Sequence, residues 1–276
     1  MKKKLNFPFF ILAISVLLFS CQKDEDAILD QESAQDEYDE VVKALEENYF
    51  NPSGLEVVDF ELPDGSAEEM FKVEGDLMFT KEQIMNMNVG GGIQTKQYRT
   101  NNLVSDGTIT IIGYTGGGGF GLSSKEQTAL RWAVNNYNRL NLDISFNLTF
   151  GTNYQSRDMV IYHNPNQSGA GGSAGFPSNG NPNKFVQIYG LNGYNTNVVE
   201  HVITHEIGHS VGFRHTDWFS RQSCGQTGES AGSIGAVHIP GTPTGYDSTS
   251  IMLACFSSNE DGEFNGNDIT ALRFLY

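Results

Sequence analysis

The sequence predicts an α+β fold, and three observations carry that prediction. Runs rich in β-branched and aromatic residues, at Thr108–Ile112, Ile144–Phe150, Met159–Tyr162 and Lys184–Tyr189, read as strands. Segments of helical spacing interrupt and follow them: Ser124 to about Leu140, a stretch starting near Thr196 or Asn197, and Gly266 to Tyr276. Residues 103–276 are enough to enclose one hydrophobic core.

Each element has local support. Ser123 or Ser124 can cap the first helix, whose apolar positions are Leu130, Trp132, Ala133, Val134 and Tyr137. The preceding Gly116–Gly119 run is a loop, because no Gly-Lys-Ser/Thr follows it to make a phosphate cradle. Gly169 to Pro177 is built of small residues and by composition reads as a glycine-rich surface loop. The last helix takes Asn267 as its cap.

Charge divides the chain. The net charge is −16, and the acidic excess is concentrated between Gln22 and Thr100. With no basic patch or stripe, nucleic-acid binding is excluded. Met1 to Ser20 reads as a signal peptide: three lysines, then an apolar run from Phe7 to Phe19 that is short for a spanning helix. Leu18-Phe19-Ser20-Cys21 is close to a lipobox, making Cys21 the expected lipidation site; an ordinary signal peptide cut nearby is the alternative. The acidic residues behind Cys21 resemble the surface-export signal of bacterial lipoproteins. The expected location is therefore the outer membrane, facing outward, or the medium after processing, with the membrane met through the lipid anchor only. Asp30 to Phe50 carries an apolar helical stripe at Tyr38, Val41, Val42, Leu45 and Tyr49, and two extended runs follow near Leu55–Leu62 and Met70–Phe79. These patches need something to pack on. The domain reading is a signal peptide (1–20), an acidic tether and prosegment (21–102) and a catalytic domain (103–276).

The chemistry is carried by His205-Glu206-Ile207-Gly208-His209, extended by Gly212 and His215. Histidines four apart project from one helix face and can share one ion. Glu206 then lies beside the ion rather than on it. Gly212 lets the helix end in a left-handed turn that returns His215 to the same point. Three protein ligands leave a fourth position for water, the pattern of a catalytic zinc site. One Zn2+ is therefore expected on His205, His209 and His215, with Glu206 as general base and acid. His201, His163 and His238 are not expected to bind metal, and Asn259–Glu263 reads as a solvated turn.

This extended motif, with Ser250-Ile251-Met252 downstream, resembles the metzincin metalloproteases. His205–His209, Gly212–Trp218, His238–Pro243 and Asp268–Leu272 resemble more narrowly the bacterial dual-action HEIGH metallopeptidases, over roughly residues 103 to 276. The resemblance implies a zinc endopeptidase acting on protein or peptide substrates. It also implies a twisted, mostly parallel sheet with an antiparallel edge strand, two long helices and a C-terminal helix. Met252 becomes the methionine of a turn beneath the metal, and Gly169–Pro177 the strand that pairs with bound peptide. A tyrosine two residues after that methionine assists some metzincins; here the position is Ala254, and Tyr246 is a distant substitute. Metzincins are commonly held latent by a prosegment group on the metal. No cysteine besides Cys21 precedes the catalytic domain, so a cysteine block is excluded within these boundaries. Val73-Glu74-Gly75-Asp76 partly matches the astacin-like Phe-x-Gly-Asp motif, lacking its aromatic residue; Asp76 is the candidate blocker, and a simple Gly-Asp turn the alternative.

Cys224 and Cys255 remain as an even pair in an oxidising compartment and are expected to be bridged, two buried thiols being the alternative. Two other functions stay open: a surface zinc hydrolase acting on a non-peptide acyl bond, and a surface binding protein that cleaves nothing. Intact Glu206 argues against the second. The sequence gives no oligomeric state.

Overall fold

The computed structural model describes residues 23–48, 50–87, 98–100, 102–218, 220–226, 237–243 and 245–276. The signal segment 1–20, Cys21 and Tyr49 lie outside the described residues. None of the described helices is long and apolar enough to cross a membrane. The chain divides into two compact units, Met1–Glu40 and Val41–Tyr276. Helix α1 spans Lys23–Glu47, and its last turns, from Val41, belong to the second unit.

The second unit is built on a five-stranded sheet: β5 (Gly107–Tyr114), β6 (Ile144–Gly151), β7 (Met159–His163), β8 (Gly171–Ser173) and β9 (Phe185–Tyr189). Their order is β6-β5-β7-β9-β8, parallel throughout except that β8 runs antiparallel to β9 at the edge. This is the expected α+β arrangement. Side chains alternate across the pleat. Ile111, Met159, Ile161, Val186 and Ile188 face a core shared with helices α3 (Ser124–Asn138) and α4 (Thr196–Ser210). Ile112, Tyr114, Val160 and Tyr162 form a cluster on the opposite face. With both faces covered, Met159 to Tyr162 is a continuous buried run rather than an alternating one.

What covers the second face comes from the N-terminal half. Strands β1 (Glu56–Glu61), β2 (Ala67–Val73) and β3 (Leu77–Phe79) make an antiparallel sheet. Phe60, Leu62, Met70 and Met78 cluster with Phe185. Tyr162 Oη and Gln187 Nε2 both donate to the Glu61 carbonyl, at 2.8 and 2.7 Å. A second cluster joins Val41 and Leu45 of α1 to Phe71, Phe79 and Phe176. Of the expected helical stripe, Val41 and Leu45 therefore do pack. The run expected as one element near Met70–Phe79 is two strands, because the chain reverses at Glu74 (φ 53°) and Gly75 (φ 97°). The short helix α2 (Lys81–Met85) follows, capped by Thr80.

Two caps govern the remaining helices. Ser123 accepts from Glu126 N and starts α3, as the sequence suggests. The C-terminal helix α5 (Gly266–Leu275) is capped by Asn265 rather than by the expected Asn267; its side chain accepts from Asn267 N and Asp268 N. Asn267 is already inside the first turn and bonds Asp247 instead. Strand β4 (Tyr98–Arg99) pairs with β10 (Val237–His238).

Buried Glu200 on α4 accepts from Asn136 Nδ2 at 2.9 Å, and the same amide donates to Gly262 O, so the Asn259–Glu263 turn closes over a carboxylate. Burial, then the negative charge of Glu263, push Glu200 up to about 7 from 4.5. A carboxyl raised on folding contributes stability fully present below the unfolded value and lost as pH rises through the folded one. Relative to the wild type, Glu200→Gln should therefore gain in thermal midpoint as pH rises from about 4.5 to 7. Thermal melts of both proteins across this range test it; parallel curves would refute the assignment.

Candidate metal centre

Helix α4 starts at Asn195, whose side chain accepts from Val198 N, and ends at Ser210. Two glycines, one on the helix and one beyond it, set the centre. Gly208 lies against Met252: a Cβ there would sit 2.5 Å from the Met252 sulfur. Past the helix, Gly212 has φ 108°, a conformation glycine adopts without a Cβ penalty. Gly212 N then donates to His209 O and Phe213 N to Gly208 O, closing the helix end and turning the chain back. His215 returns with its Nε2 at 3.1 Å from His209 Nε2.

The tautomers follow from hydrogen bonding. His205 Nδ1 donates to Ile251 O at 2.8 Å and His209 Nδ1 to Phe213 O at 2.7 Å. A carbonyl can only accept, so each Nδ1 carries the proton and each Nε2 lone pair is free to face inward. Asp76 closes the group: its Oδ2 lies 2.9 Å from His215 Nε2, 3.4 Å from His205 Nε2 and 3.9 Å from His209 Nε2. These four ligand atoms all lie within 4.8 Å of one another, a geometry able to hold a metal ion. Asp76 Oδ1 and Glu206 Oε2 are buried with no partner among the described residues.

Electrostatics separate these groups. Burial favours a protonated Asp76, but the positive charge of His215 outweighs it and holds the carboxyl well below its usual range. Burial, then the Asp76 charge, push Glu206 well up. Burial and the neighbouring His205 pull His209 down to about 4. Burial opposes charging His215, yet Asp76 and Glu74 carry it up to about 9.

The turn at Met252 is braced from two sides. Buried Asp268, on α5, accepts Ser250 Oγ at 2.7 Å and Ile251 N at 3.1 Å. Fully buried Asp217 accepts Ala254 N and Ser223 N, both at 2.9 Å. Cys224 and Cys255 are bonded as expected and tie the two segments together. Over the centre passes β8, so close that a Cβ on Gly172 would meet the Glu206 carboxylate at 2.6 Å.

The β2–β3 hairpin docks on Ala174, the residue that follows β8 at the edge of the sheet. Ala174 N donates to Asp76 O and Met78 N to Ala174 O, a parallel bridge. Glu74 Oε1 accepts from Arg214 Nη2 at 2.8 Å, both side chains being buried, and the Arg214 guanidinium lies 4.0 Å from the centre of the Phe50 ring. Arg221 Nη2 donates to Glu74 O at 2.8 Å. Beside the histidines remains a cleft of about 430 Å3, walled by Gly172, Tyr189, Tyr194, His201 and Phe256. Burial pushes Tyr189 up to about 12.

The structure thus gathers His205, Glu206, His209, His215, Met252 and Asp76. His201 is buried at the cleft wall, 3.9 Å from Glu260, and His163 bonds Glu126 at 2.8 Å. The side chain of His238 lies outside the described residues. Tyr246 is half-buried and absent from the cleft lining. Sequence reasoning missed Glu74, Arg214, Arg221 and Asp217. The one available signal was Arg214 and Asp217 flanking His215, charged residues in a segment that had to be buried.

A histidine cluster beneath an antiparallel edge strand, beside a buried glutamate, belongs to a hydrolase of the metallopeptidase class. The chain is a member of the dual-action HEIGH metallo-peptidase family, whose model matches residues 71–276. Among solved structures it is similar to two of myroilysin, each at 13% identity. One has a TM-score of 0.41 and covers 63% of this chain and 82% of that one; the other has 0.39, with 61% and 83%. No curated protein matches it.

The disulfide closes a separation of 31 residues. On the chain-entropy relation this contributes about 3–4 kcal/mol. Replacing both cysteines by serine should lower the unfolding free energy by about that amount. Guanidinium titrations of the two proteins measure it, and an unchanged midpoint would count against the bridge.

Proposed function

We propose that this chain is a zinc endopeptidase of extracellular proteins, made as a latent lipoprotein. In this reading residues 21–102 are tether and prosegment, residues 103–276 the catalytic domain, and Cys21 the lipid anchor holding the protein at the outer membrane surface until processing. One observation carries it: three imidazoles converge on one point, with the buried carboxylate of Glu206 beside them, its Oε2 without a partner among the described residues.

The donor set fits zinc. Two histidines carry their protons on Nδ1, and the Nε2 atoms of His209 and His215 face each other at 3.1 Å. Lone pairs that close repel unless a proton or a cation lies between them. His205, His209 and His215 would hold the ion, and Met252 would lie beneath them. Bound zinc supplies Lewis acidity, lowering the pKa of water and polarising a carbonyl oxygen. Glu206 takes the proton of the attacking water and delivers it to the leaving amine. Strand β8 aligns the peptide by main-chain hydrogen bonds on its free edge, the mode the chain's own hairpin uses at Ala174. Asp76 supports the latency reading because its carboxylate sits among the three histidines, where the water would be.

Full-length protein is expected to contain about one zinc per chain and to leave casein intact. Asp76→Ala in the full chain should cleave it without prior processing. Adding Glu206→Gln should cut that turnover by about 10²–10⁴-fold while zinc content is retained. Zinc bound stoichiometrically with no Glu206-dependent hydrolysis would sink the peptidase reading. Unchanged latency in Asp76→Ala would sink only the aspartate block.

A further inference from the structure

Arg221 is the only lysine or arginine among the described residues that line the cleft. Its backbone is left-handed (φ 45°), a conformation costly for a residue with a Cβ and retained only where the surroundings over-determine it. Those surroundings are visible. Arg221 N donates to Asp217 O at 2.7 Å, and Cys224 N donates back to Arg221 O at 2.9 Å. The same loop is bonded through Cys224 to Cys255, itself part of the cleft wall. A loop this constrained aims one side chain.

That side chain is half used. Its Nη2 donates to the Glu74 carbonyl at 2.8 Å and would lie 3.2 Å from a Cβ on Gly75. Its Nε is buried and has no partner among the described residues. A carbonyl offers one oxygen, which a lysine would hold as well. The adjacent Nε–H and Nη2–H of a guanidinium match a group with two coplanar oxygens. The hairpin that now occupies the cleft is itself acidic, and it places the Glu74 carboxylate on Arg214.

We infer that, once the hairpin has left, Arg221 binds a carboxylate side chain of the substrate, so that the enzyme cleaves beside aspartate or glutamate. The assignment deepens the peptidase reading and rests on it. In the latent chain the Glu74 carbonyl takes one of the two N–H groups that the substrate carboxylate then receives.

The test uses the full chain carrying Glu74→Ala and Asp76→Ala, which strips the hairpin of its polar side-chain hold on the cleft. Peptides identical but for Glu or Gln at successive positions around the scissile bond are compared. At one position Glu should be favoured roughly ten- to hundredfold in kcat/KM, the range of a charge-assisted hydrogen bond. Arg221→Gln should bring that ratio to about one, and Arg221→Glu should turn the preference towards Lys. Arg221→Lys, which keeps the charge without the fork, should retain part of the ratio and so exclude a folding artefact. Anisotropy titrations with the Glu206→Gln form should give the same order in Kd without turnover. Equal binding and cleavage of Glu and Gln peptides, or a ratio that survives Arg221→Gln, would overturn the assignment. Arg221-dependent preference in binding, with no peptide hydrolysed, would leave it standing and remove the peptidase reading instead.

Discussion

The carbonyls of Ile251 and Phe213 accept the Nδ1–H groups of His205 and His209, and in doing so turn two buried lone pairs toward one point. Neither carbonyl is placed by α4 itself. Phe213 is set by the left-handed turn at Gly212, and Ile251 by Asp268 on the last helix. The cluster therefore exists only when three parts of the chain are in register: the end of α4, the return to His215, and the turn at Met252. Thr216 N, donating to Met252 O at 2.7 Å, joins the second of these to the third. Loss of any one part would leave an imidazole N–H buried without its acceptor, at a cost of about 1–3 kcal/mol each. This is why carboxylates as remote as Asp268 and Asp217 accept backbone amides in the interior instead of facing solvent.

The hairpin depends on a different balance. Glu74 and Arg214 are both almost fully buried. Taking two charges out of water costs about as much as their attraction returns, so the pair adds little net stability. What it adds is position. Breaking one side would strand the other charge, so the hairpin holds one register or releases altogether, and that register puts the Asp76 carboxylate among the histidines. Desolvation pulls Glu74 towards protonation, yet Arg214, then His215, keep it below the ordinary carboxylate range.

Most of residues 103–276 was legible because the signals there are local. The strands, the Ser123 cap, the left-handed Gly212 and the spacing of His205, His209 and His215 each follow from residues a few positions apart. The Met252 turn and the Cys224–Cys255 bond were reachable through resemblance and cysteine parity. What escaped were contacts across long separations. Glu74 and Arg214 are 140 residues apart, and nothing in either neighbourhood announces the other. Met70–Phe79 read as one extended run because β-propensity is high on both sides of Glu74-Gly75, and the reversal lies in two backbone angles that hydrophobic pattern does not encode. Asn265 and Asn267 are equally good caps by composition; Asp268, bonding back to Asn265 N, decides between them.

Edge-strand physics unites the two halves of the proposed function. Among the described residues β8 pairs only with β9, and an unpaired edge presents N–H and C=O groups to any extended segment that reaches it. In the structure Ala174 gives both its groups to the hairpin, one to Asp76 O and one from Met78 N. A peptide aligned on this edge needs those same groups, and under the proposed chemistry its carbonyl needs the space that the Asp76 carboxylate fills. Under that proposal one short hairpin would compete with substrate twice, once for backbone hydrogen bonds and once at the histidines. Asp76 takes part in both contacts, its carbonyl at the edge and its carboxylate at the histidines. Removal of that single residue's backbone and side chain from the edge is then the event that would convert a closed cluster into an open one.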